Sequence, residues 1–359
     1  MYNVAIVGCG RISHKIAEGV AKNNDRMKLV VLCDPIEEKM FETEKTYNKK
    51  IEKENTILKY KNYKEILKEN KIDIAIISTE SGYHEEIGLY FLENGVNLII
   101  EKPLAMSIEG AQKLVDTAKK NNLKLAASHQ NRFNYPIQLL KKAIKENRLG
   151  RIFNGMARIL WTRDDNYYLQ APWRGTWALD GGTLMNQCIH NIDLINWMMD
   201  DEIDTVYAQT SNYIRNIEAE DYGVILIRYK SGKIATIEGS AIVYPKNLEE
   251  TLTITGEKGT VVIGGMAVNK INTWRVEGDN EQEYLSIDCG DPNSVYGYGH
   301  EALYKDFVDA LDENREPLVN GIAGLEAVKI ILAAYKSQKT GMPIKFSEFK
   351  NFKSIDMVR

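Results

Sequence analysis

The sequence of 359 residues has few of the features that mark secreted, metal-binding or membrane proteins. Its four cysteines are scattered, and no pair has the short spacing of a zinc or redox motif, so we expect buried thiols and no metal site. No apolar run approaches the length that spans a membrane. The chain opens "MYNVAIVGCG" directly into a strand pattern, which leaves no room for a signal peptide. These features predict a cytoplasmic protein without a membrane partner.

An excess of charge of one sign is also missing. The 46 Lys and Arg residues nearly balance the 50 Asp and Glu residues, and the net charge is −4. Because the two signs are interleaved, no global basic field would recruit nucleic acid. Repeats, coiled coils and low-complexity tracts are absent from the sequence as well. The length predicts two domains, each large enough to bury its own core.

The apolar patterns divide the chain after residue 127. Before that point, continuous apolar runs such as "NVAIVG", "LVVLCD" and "IDIAIIST" alternate with amphipathic helices, which predicts a doubly wound parallel sheet in residues 1–127. After it, strand-like segments show period-2 alternation and short turns such as "KSGK" and "GEKG". Residues 128–359 are therefore predicted to form an α+β domain with a mainly antiparallel sheet, and helices return from Glu301 to Thr340.

The turn after the first strand predicts a dinucleotide site. In "VAIVGCGRIS", Gly8 permits the tight turn, and Gly10 allows a pyrophosphate to approach the backbone along Gly8–Ile12, a segment that includes Arg11. Ser13 stands where a third glycine is usual. Asp34 ends the second strand, where an acidic residue can accept hydrogen bonds from a ribose diol and repel a 2′-phosphate, so it favours NAD over NADP. Asp34 could also cap the next helix, and the two roles are compatible.

Two further strand ends are expected at the same edge of the sheet, because doubly wound folds bind ligands at the carboxyl ends of their strands. "IISTESGYHEE" places Ser78, Thr79 and His84 there, although His84 could instead be a residue that only begins the next helix. "IIEKPLAM" places Glu101 and Lys102 at the next strand end, and the Lys102–Pro103 bond could be cis. A lysine that emerges from an apolar strand is expected to be partly desolvated and to seek a partner.

"GCGRIS", "EKPLAM" and "GGTLMNQCIHNID" occur in this order, and together they resemble the glucose–fructose oxidoreductase/inositol dehydrogenase (Gfo/Idh/MocA) family. The resemblance covers essentially the whole chain and implies a Rossmann domain followed by a domain with a large open-faced sheet. It implies oxidation of a sugar or cyclitol with NAD, and dimers or tetramers that pack through the open sheet. It also implies that Lys102 is catalytic and that His190 faces it.

Further segments, among them "SHQNRFNYPIQ", "APWRGTWALDGG" and "SVYGYGHEALYKDF", resemble the family branch that oxidises C3 of UDP-N-acetylglucosaminuronate for surface polysaccharide synthesis. In "APWRGTW", Arg174 could stack beside Trp173 and Trp177 and hold an anion or the cofactor. Gln130 follows the last Rossmann strand and could reach the nicotinamide. The loop "YGYGH", residues 296–300, could help to hold the nucleotide or be an ordinary glycine-rich turn.

Most of the segment from Ala178 to Trp197 is predicted to form one buried helix with a polar stripe. Asn186, His190 and Asp193 fall at i, i+4 and i+7 on that stripe, with Asp180 as the expected N-cap. The stripe could be an internal network in which Asp193 or Asn186 bonds to His190, or a catalytic surface.

The family pattern has an aspartate four residues before the histidine, and Asn186 stands there instead. We hypothesise that Asn186 removes a negative charge from a site whose substrate is anionic, with Arg163 and Gln187 as further substrate-binding residues.

Together these features predict an NAD-dependent dehydrogenase with His190 or Lys102 as the base. Three alternatives stay open at this point. They are an inositol or free-sugar dehydrogenase, a non-catalytic NAD-binding sensor and a glycosidase that uses bound NAD.

Overall fold

A computed structural model of the protein describes residues 1–290, 297 and 299–358. These residues form two compact units. The first contains Met1–Ser128 and His300–Leu325, and the second contains His129–Gly299 and Glu326–Arg359. All four cysteines are free thiols, and Cys289 is the one that is not buried.

The first unit is built on six parallel strands. They are β1 (Tyr2–Val7), β2 (Met27–Cys33), β3 (Leu58–Tyr60), β4 (Ile74–Ile77), β5 (Asn97–Ile100) and β6 (Leu125–Ala127). Its first five helices are α1 (Ser13–Lys22), α2 (Glu37–Ile51), α3 (Tyr63–Glu69), α4 (His84–Glu93) and α5 (Ile108–Lys120). The strand order is β3-β2-β1-β4-β5-β6, so the order reverses between β1 and β4. Such a reversal leaves a crevice at the carboxyl ends of the two strands, which is where ligands bind in this fold class.

The second unit contains an eight-stranded sheet. Its strands are β7 (Ile152–Leu160), β8 (Ile203–Ser211), β9 (Tyr222–Tyr229), β10 (Ile234–Ser240), β11 (Glu249–Gly256), β12 (Gly259–Gly264), β13 (Lys270–Val276) and β14 (Ile344–Lys345). The order is β13-β12-β11-β7-β10-β9-β8-β14. The β7–β10 pair is parallel, and the other neighbours are antiparallel. The predicted fold class, a Rossmann unit followed by an α+β unit with a mainly antiparallel sheet, is confirmed.

The remaining helices are α6 (Tyr135–Lys145), α7 (Asp165–Leu169), α8 (Thr183–Asn186), α9 (Ile189–Met199), α10 (Glu281–Leu285), α11 (Gly299–Asp312) and α12 (Gly321–Thr340). Helix α9 packs on one face of the eight-stranded sheet, where the missing side chain of Gly155 makes room for Ile195 and Met199. The opposite face carries the exposed side chains of Met156 and Leu226. The sheet therefore has one covered face and one open face.

The segment 300–325 packs with the first unit. Arg26, at the start of β2, donates hydrogen bonds to Asp309 at 2.7 Å and to Asp312 at 3.1 Å. The backbone N–H of Ala127 in β6 donates to the carbonyl of Val319 at 3.2 Å. The Rossmann sheet thus receives contacts near β2 and at its edge strand β6 from a segment that follows β6 by more than 170 residues.

Candidate functional site

Two glycines shape the turn between β1 and α1: one packs closely against the backbone, and the other borders open space. Gly8 has φ +95°, and a Cβ atom there would lie 2.5 Å from the carbonyl carbon of Ser78, whose Oγ donates to the Gly8 carbonyl at 2.7 Å. A Cβ atom on Gly10 would meet nothing within 4 Å. Helix α1 begins three residues later at Ser13. The open space at Gly10 therefore lies beside the N-terminus of a helix, which favours an anionic group.

Asp34 follows β2 and fixes this turn. Its Oδ2 atom accepts a hydrogen bond from the backbone N–H of Cys9 at 2.8 Å, and its Oδ1 atom accepts one from Ile36 at 2.9 Å. The residue is 7% exposed. The bond from Ile36 gives Asp34 the capping role that the sequence allows, and the bond from Cys9 holds the carboxylate against the glycine turn. This position at the end of β2 is the one at which an acidic residue meets the adenosine ribose in NAD-binding sheets.

His84 begins α4 and lies in the interior of the first unit. Its Nδ1 atom is 2.8 Å from the carbonyl oxygen of Pro103, and its Nε2 atom is 3.1 Å from that of Thr79. Burial lowers the pKa of the imidazole, and the charge of Lys102 acts in the same direction. Both ring nitrogens are directed at carbonyl groups, so His84 links the loops that follow β4 and β5.

Glu101 and Lys102 follow β5 directly, and the Lys102–Pro103 bond is cis as the sequence allowed. Glu101 is 8% exposed, and burial raises the pKa of its carboxyl group while Lys102 opposes the shift. Its Oε1 atom lies 3.9 Å from Nε2 of His300, whose pKa is lowered to about 4 by burial. Within the part of the chain that the structure describes, neither of these two atoms has a hydrogen-bond partner.

The first unit fits a bound dinucleotide. The open space at Gly10, the helix start behind it and the carboxylate of Asp34 suit a diphosphate and a ribose. The Oε1 atom of buried Glu101 is an acceptor that still needs a donor, and ribose hydroxyls or an amide would supply one. These groups follow β1, β2 and β5, and they come together because parallel strands end at one edge of the sheet.

The prediction that one helix occupies most of the segment from Ala178 to Trp197 is wrong, because the structure has two helices there. Helix α8 ends at Asn186 and α9 begins at Ile189. Between them, the N–H groups of Gln187 and Cys188 both bond to the carbonyl of Thr183, at 2.9 and 3.0 Å, so the turn is widened by one residue. The polar residues before and after this break therefore do not lie on one straight stripe.

Asn186 stands in a chain of hydrogen bonds that ends on a carboxylate. Its Nδ2 atom donates to Oδ1 of Asp180, and its Oδ1 atom accepts from Nε2 of Gln187 at 2.7 Å. Oε1 of Gln187 accepts from Nε and Nη2 of Arg163 at 3.1 and 2.8 Å, while Nε2 of Gln187 also donates to the Tyr167 hydroxyl at 3.0 Å. The buried carboxylate of Asp180 is in direct contact with Asn186, so one negative charge lies beside the position at which the family pattern has an aspartate. The hypothesis that Asn186 removes a second negative charge from the site stays a prediction.

Two guanidinium groups alternate with three aromatic rings in the same unit. Arg163 lies 4.7 Å from the ring centroid of Trp161 and 5.3 Å from that of Tyr167. Arg174 lies 4.0 Å from the Tyr167 centroid and 5.5 Å from that of Trp173. Cation–π contacts of this kind hold planar cations in place while they keep their charge. Tyr167 is central to the arrangement, and no motif in the sequence singled it out.

The start of α8 is capped by Glu220 and not, as predicted, by Asp180. Oε1 of Glu220 accepts from the N–H of Leu184 at 2.9 Å and from the hydroxyl of Tyr335 at 3.0 Å. Burial raises the pKa of Glu220 to about 8. Asp180 instead accepts from the N–H of Gly175 at 2.7 Å through Oδ2. Its carboxylate is thus committed to the loop before the helix and to Asn186.

His190 lies half-buried in the first turn of α9. Its ring meets that of His129 edge to face, with 5.6 Å between the centroids. Asp193, a proposed internal partner of His190, instead forms two hydrogen bonds with Arg132, at 2.8 and 2.6 Å. Gln130 belongs to the same short 3₁₀ helix as Arg132 and is 3% exposed. Arg132 had no signal in the sequence beyond its place in "QNRFN".

Parts of the predicted site lie outside the described residues. In the "YGYGH" loop, Tyr296 and Tyr298 are not described, whereas His300 belongs to α11. Across the described ranges, no group of His, Cys, Asp and Glu side chains could hold a metal ion. None of the helices in those ranges is both long and apolar enough to cross a bilayer.

Comparison with known proteins identifies the class. Residues 2–129 match the family model of an oxidoreductase family with an NAD-binding Rossmann fold, and residues 141–346 match the model of its C-terminal α/β domain. The chain belongs to the Gfo/Idh/MocA oxidoreductase family and is an NAD-binding oxidoreductase. The expectation of NAD as cofactor is therefore confirmed.

Within the family, the chain is similar to two WlbA dehydrogenases whose crystal structures contain NADH and UDP-GlcNAcA. The Bordetella pertussis structure is 33% identical, with a TM-score of 0.83, and the match covers 95% of this chain and 98% of that one. The Chromobacterium violaceum structure is also 33% identical, with a TM-score of 0.85 and coverage of 96% and 95%. The myo-inositol 2-dehydrogenase of Thermotoga maritima is 24% identical over 350 residues, which are 96% of this chain and 98% of that protein.

Proposed function

We propose that the enzyme oxidises the C3 hydroxyl of UDP-N-acetyl-2-amino-2-deoxy-D-glucuronate to the 3-keto sugar nucleotide, as a cytoplasmic step in the synthesis of surface polysaccharide amino sugars. The observation that carries the proposal is the 33% identity, over nearly the whole chain, to two dehydrogenases solved with NADH and UDP-GlcNAcA. More distant relatives include two inositol 2-dehydrogenases and a levoglucosan dehydrogenase, which supports oxidation of an alcohol group.

The two arginines of the second unit support an anionic substrate. Arg163 and Arg174 hold two positive charges against Tyr167, which lies between them. A uronate and a diphosphate are anions that guanidinium groups bind well. We assign substrate binding to Arg163, Asn186 and Gln187, together with the catalytic residues, and cofactor contact to Arg174.

Lys102 and His190 are the proposed catalytic residues. NAD, when bound, supplies the acceptor for the hydride that leaves C3. The segment Gly8–Ile12 and Asp34 would hold it, with Ser78, Thr79, His84, Glu101, Lys102 and Gln130 as further proposed contacts. His190 would take the hydroxyl proton, and the ammonium group of Lys102 would stabilise the oxyanion that develops. The reversed assignment, with Lys102 as the base, fits the same residues.

A second candidate is oxidation of an inositol or of a free sugar. The similarity to the inositol dehydrogenase of T. maritima over 350 residues favours it. Such a substrate carries no anionic group, so it would gain no charge–charge attraction from Arg163 and Arg174. A sensor without catalysis is a third candidate, and it would bind NAD and turn over none of these substrates.

We also propose that the protein is a homodimer or homotetramer that packs through the open face of the eight-stranded sheet. Met156 on β7 is 45% exposed, and Val224 and Leu226 on β9 are 36% and 44% exposed; the two strands flank β10 on that face. Clustered apolar side chains on an exposed sheet are typical of a surface that binds another chain.

The deciding experiment incubates the enzyme with NAD and, separately, UDP-GlcNAcA, UDP-GlcNAc, glucuronate and myo-inositol. Absorbance at 340 nm and mass spectrometry of the product are both followed, because a tightly held cofactor could be recycled in place. We expect a product two mass units lighter from UDP-GlcNAcA alone. Oxidation of myo-inositol in its place would establish the second candidate, and NAD binding without any product would establish the third.

The Lys102→Met variant tests the catalytic assignment. Loss of the ammonium group should lower kcat by at least about 100-fold. The Kd for NAD should change far less than kcat, by less than about tenfold, because Lys102 is one of several proposed cofactor contacts and the glycine turn and Asp34 are untouched. Normal turnover by this variant would refute the role of Lys102.

A further inference from the structure

A carboxylate and a guanidinium group stand at the two ends of the hydrogen-bond chain that contains Asn186. Asp180, which is 2% exposed, accepts from Gly175 N–H at 2.7 Å and from Nδ2 of Asn186. At the other end, Arg163 donates to Oε1 of Gln187. A carboxylate can only accept hydrogen bonds, and a guanidinium group can only donate them. The two ends therefore fix the direction of the two amides that lie between them.

Each hydrogen bond in this series fixes the orientation of the next amide. Because Asp180 must receive an N–H group, Asn186 turns its Nδ2 atom towards it and its Oδ1 atom towards Gln187. Gln187 then presents Nε2 to Asn186 and Oε1 to Arg163. An amide has nearly the same shape after a 180° flip, so hydrogen-bond polarity, and not packing, selects this orientation.

We propose that Asp180 is a positioning residue that acts through Asn186 and Gln187 to present an oxygen atom to Arg163, and so fixes the guanidinium group that serves the anionic substrate. The assignment of Arg163 to the substrate rests on the proposed function, whereas the direction of the hydrogen bonds does not. The proposal also explains why an asparagine stands at position 186. A second carboxylate there would face Asp180 without a proton between the two acceptors.

The test exchanges the carboxylate at position 180 and the amide at position 186, first one at a time and then together. In Asp180→Asn, an amide nitrogen must face either Gly175 N–H or Nδ2 of Asn186. If the amides of Asn186 and Gln187 flipped to remove that clash, Nε2 of Gln187 would turn towards Arg163. A hydrogen-bond donor would then face another donor. In Asn186→Asp, two acceptors meet. The double variant D180N/N186D restores the hydrogen bonds to Gly175, between the two side chains and to Gln187, since the introduced amide donates to the introduced carboxylate, which still accepts from Gln187.

Each single variant should raise KM for UDP-GlcNAcA about tenfold, because it disturbs Arg163. In Asp180→Asn, which leaves Asn186 and the proposed catalytic residues unchanged, kcat should stay within about twofold of the wild type. Each single variant should also lower the Tm by at least about 4 °C. The double variant should return KM to within about threefold and Tm to within about 2 °C of the wild type. The matched control is Asp116→Asn on the exposed face of α5, which should change neither value.

A double variant no better than the worse single variant would overturn the proposal, as would a D180N protein with wild-type KM. A fall in kcat at constant KM would also overturn it, because that pattern indicates loss of folded enzyme and no effect on Arg163. If the wild type oxidises no UDP-sugar, the proposed function fails separately. The Tm values of the three variants then still test whether the hydrogen bonds from Asp180 to Arg163 have the proposed direction.

Discussion

Arg132 and Asp193 form a bidentate salt bridge inside the second unit. The Nε and Nη2 atoms of Arg132 lie 2.8 and 2.6 Å from the two carboxylate oxygens, and the side chains are 8% and 2% exposed. The guanidinium group also stacks on Trp197, 4.8 Å from the ring centroid. Asp193 is thereby committed to a structural pair three residues after His190.

Removal of one partner from this pair should be strongly destabilising. Asp193→Asn removes the negative charge that is bidentately bonded to the buried guanidinium group of Arg132, and we expect a loss of about 3 kcal/mol in the free energy of unfolding by urea. Asp204→Asn, which disrupts an exposed pair with Lys345, should cost less than about 1 kcal/mol. Equal losses in the two variants would contradict a structural role for the buried pair.

The two glycines of the β1–α1 turn should respond differently to alanine. Gly8→Ala introduces a Cβ atom against the backbone of Ser78 at a positive φ, so it should cost about 2 kcal/mol or more of stability. Gly10→Ala meets open space and should leave the Tm unchanged, but it should raise the Kd for NAD at least about tenfold, because the methyl group occupies the approach to the pyrophosphate. Calorimetric titration with NAD and thermal unfolding separate the effects. Unchanged NAD affinity in Gly10→Ala would place the cofactor elsewhere.

Asp34 should set the preference for NAD. Asp34→Asn removes the negative charge at the end of β2 while it keeps one acceptor for the N–H groups of Cys9 and Ile36. The ratio of Kd values for NADP and NAD should fall at least about tenfold, since repulsion of the 2′-phosphate is lost. Stability should fall by about 1 kcal/mol. A ratio that does not change would restrict Asp34 to its capping role.

Glu220 should make stability depend on pH. Burial raises its pKa from 4.5 to about 8, so the folded protein keeps a proton that the unfolded chain loses. The resulting stabilisation is complete below about pH 4.5 and is lost as the pH rises through 8, at up to about 1.4 kcal/mol per pH unit. Glu220→Gln should reduce the dependence of the urea unfolding midpoint on pH between pH 5.5 and 8. The control Glu277→Gln, at an exposed position, should keep the wild-type slope.

The Rossmann half of the molecule could be predicted in detail because its signals are local. Continuous apolar strands, a glycine pair and a terminal aspartate each occupy a few consecutive residues. The parallel topology then brings their ends to one edge. By contrast, the sequence pattern carries no signal that assigns residues 300–325 to that sheet, because an amphipathic helix shows which face is buried and not what buries it.

In the second unit, the sequence pattern does not predict which side chains contact each other. Helical spacing placed Asn186 and Asp193 on one stripe, but the widened turn at Cys188 separates them. The partners that decide their roles, Asp180 and Arg132, are 6 and 61 positions away in the sequence. Loops and tertiary contacts determine these pairings, and no periodicity records them.

The contribution of residues 300–325 to the first unit has a consequence for synthesis on the ribosome. When residue 128 emerges, the six strands are complete, but Arg26 and Ala127 still lack the partners that come from this late segment. At roughly 5 to 20 residues per second, those partners follow roughly 10 to 40 seconds later. For that time part of the surface of the nascent Rossmann sheet stays uncovered, so the first unit is completed only near the end of synthesis.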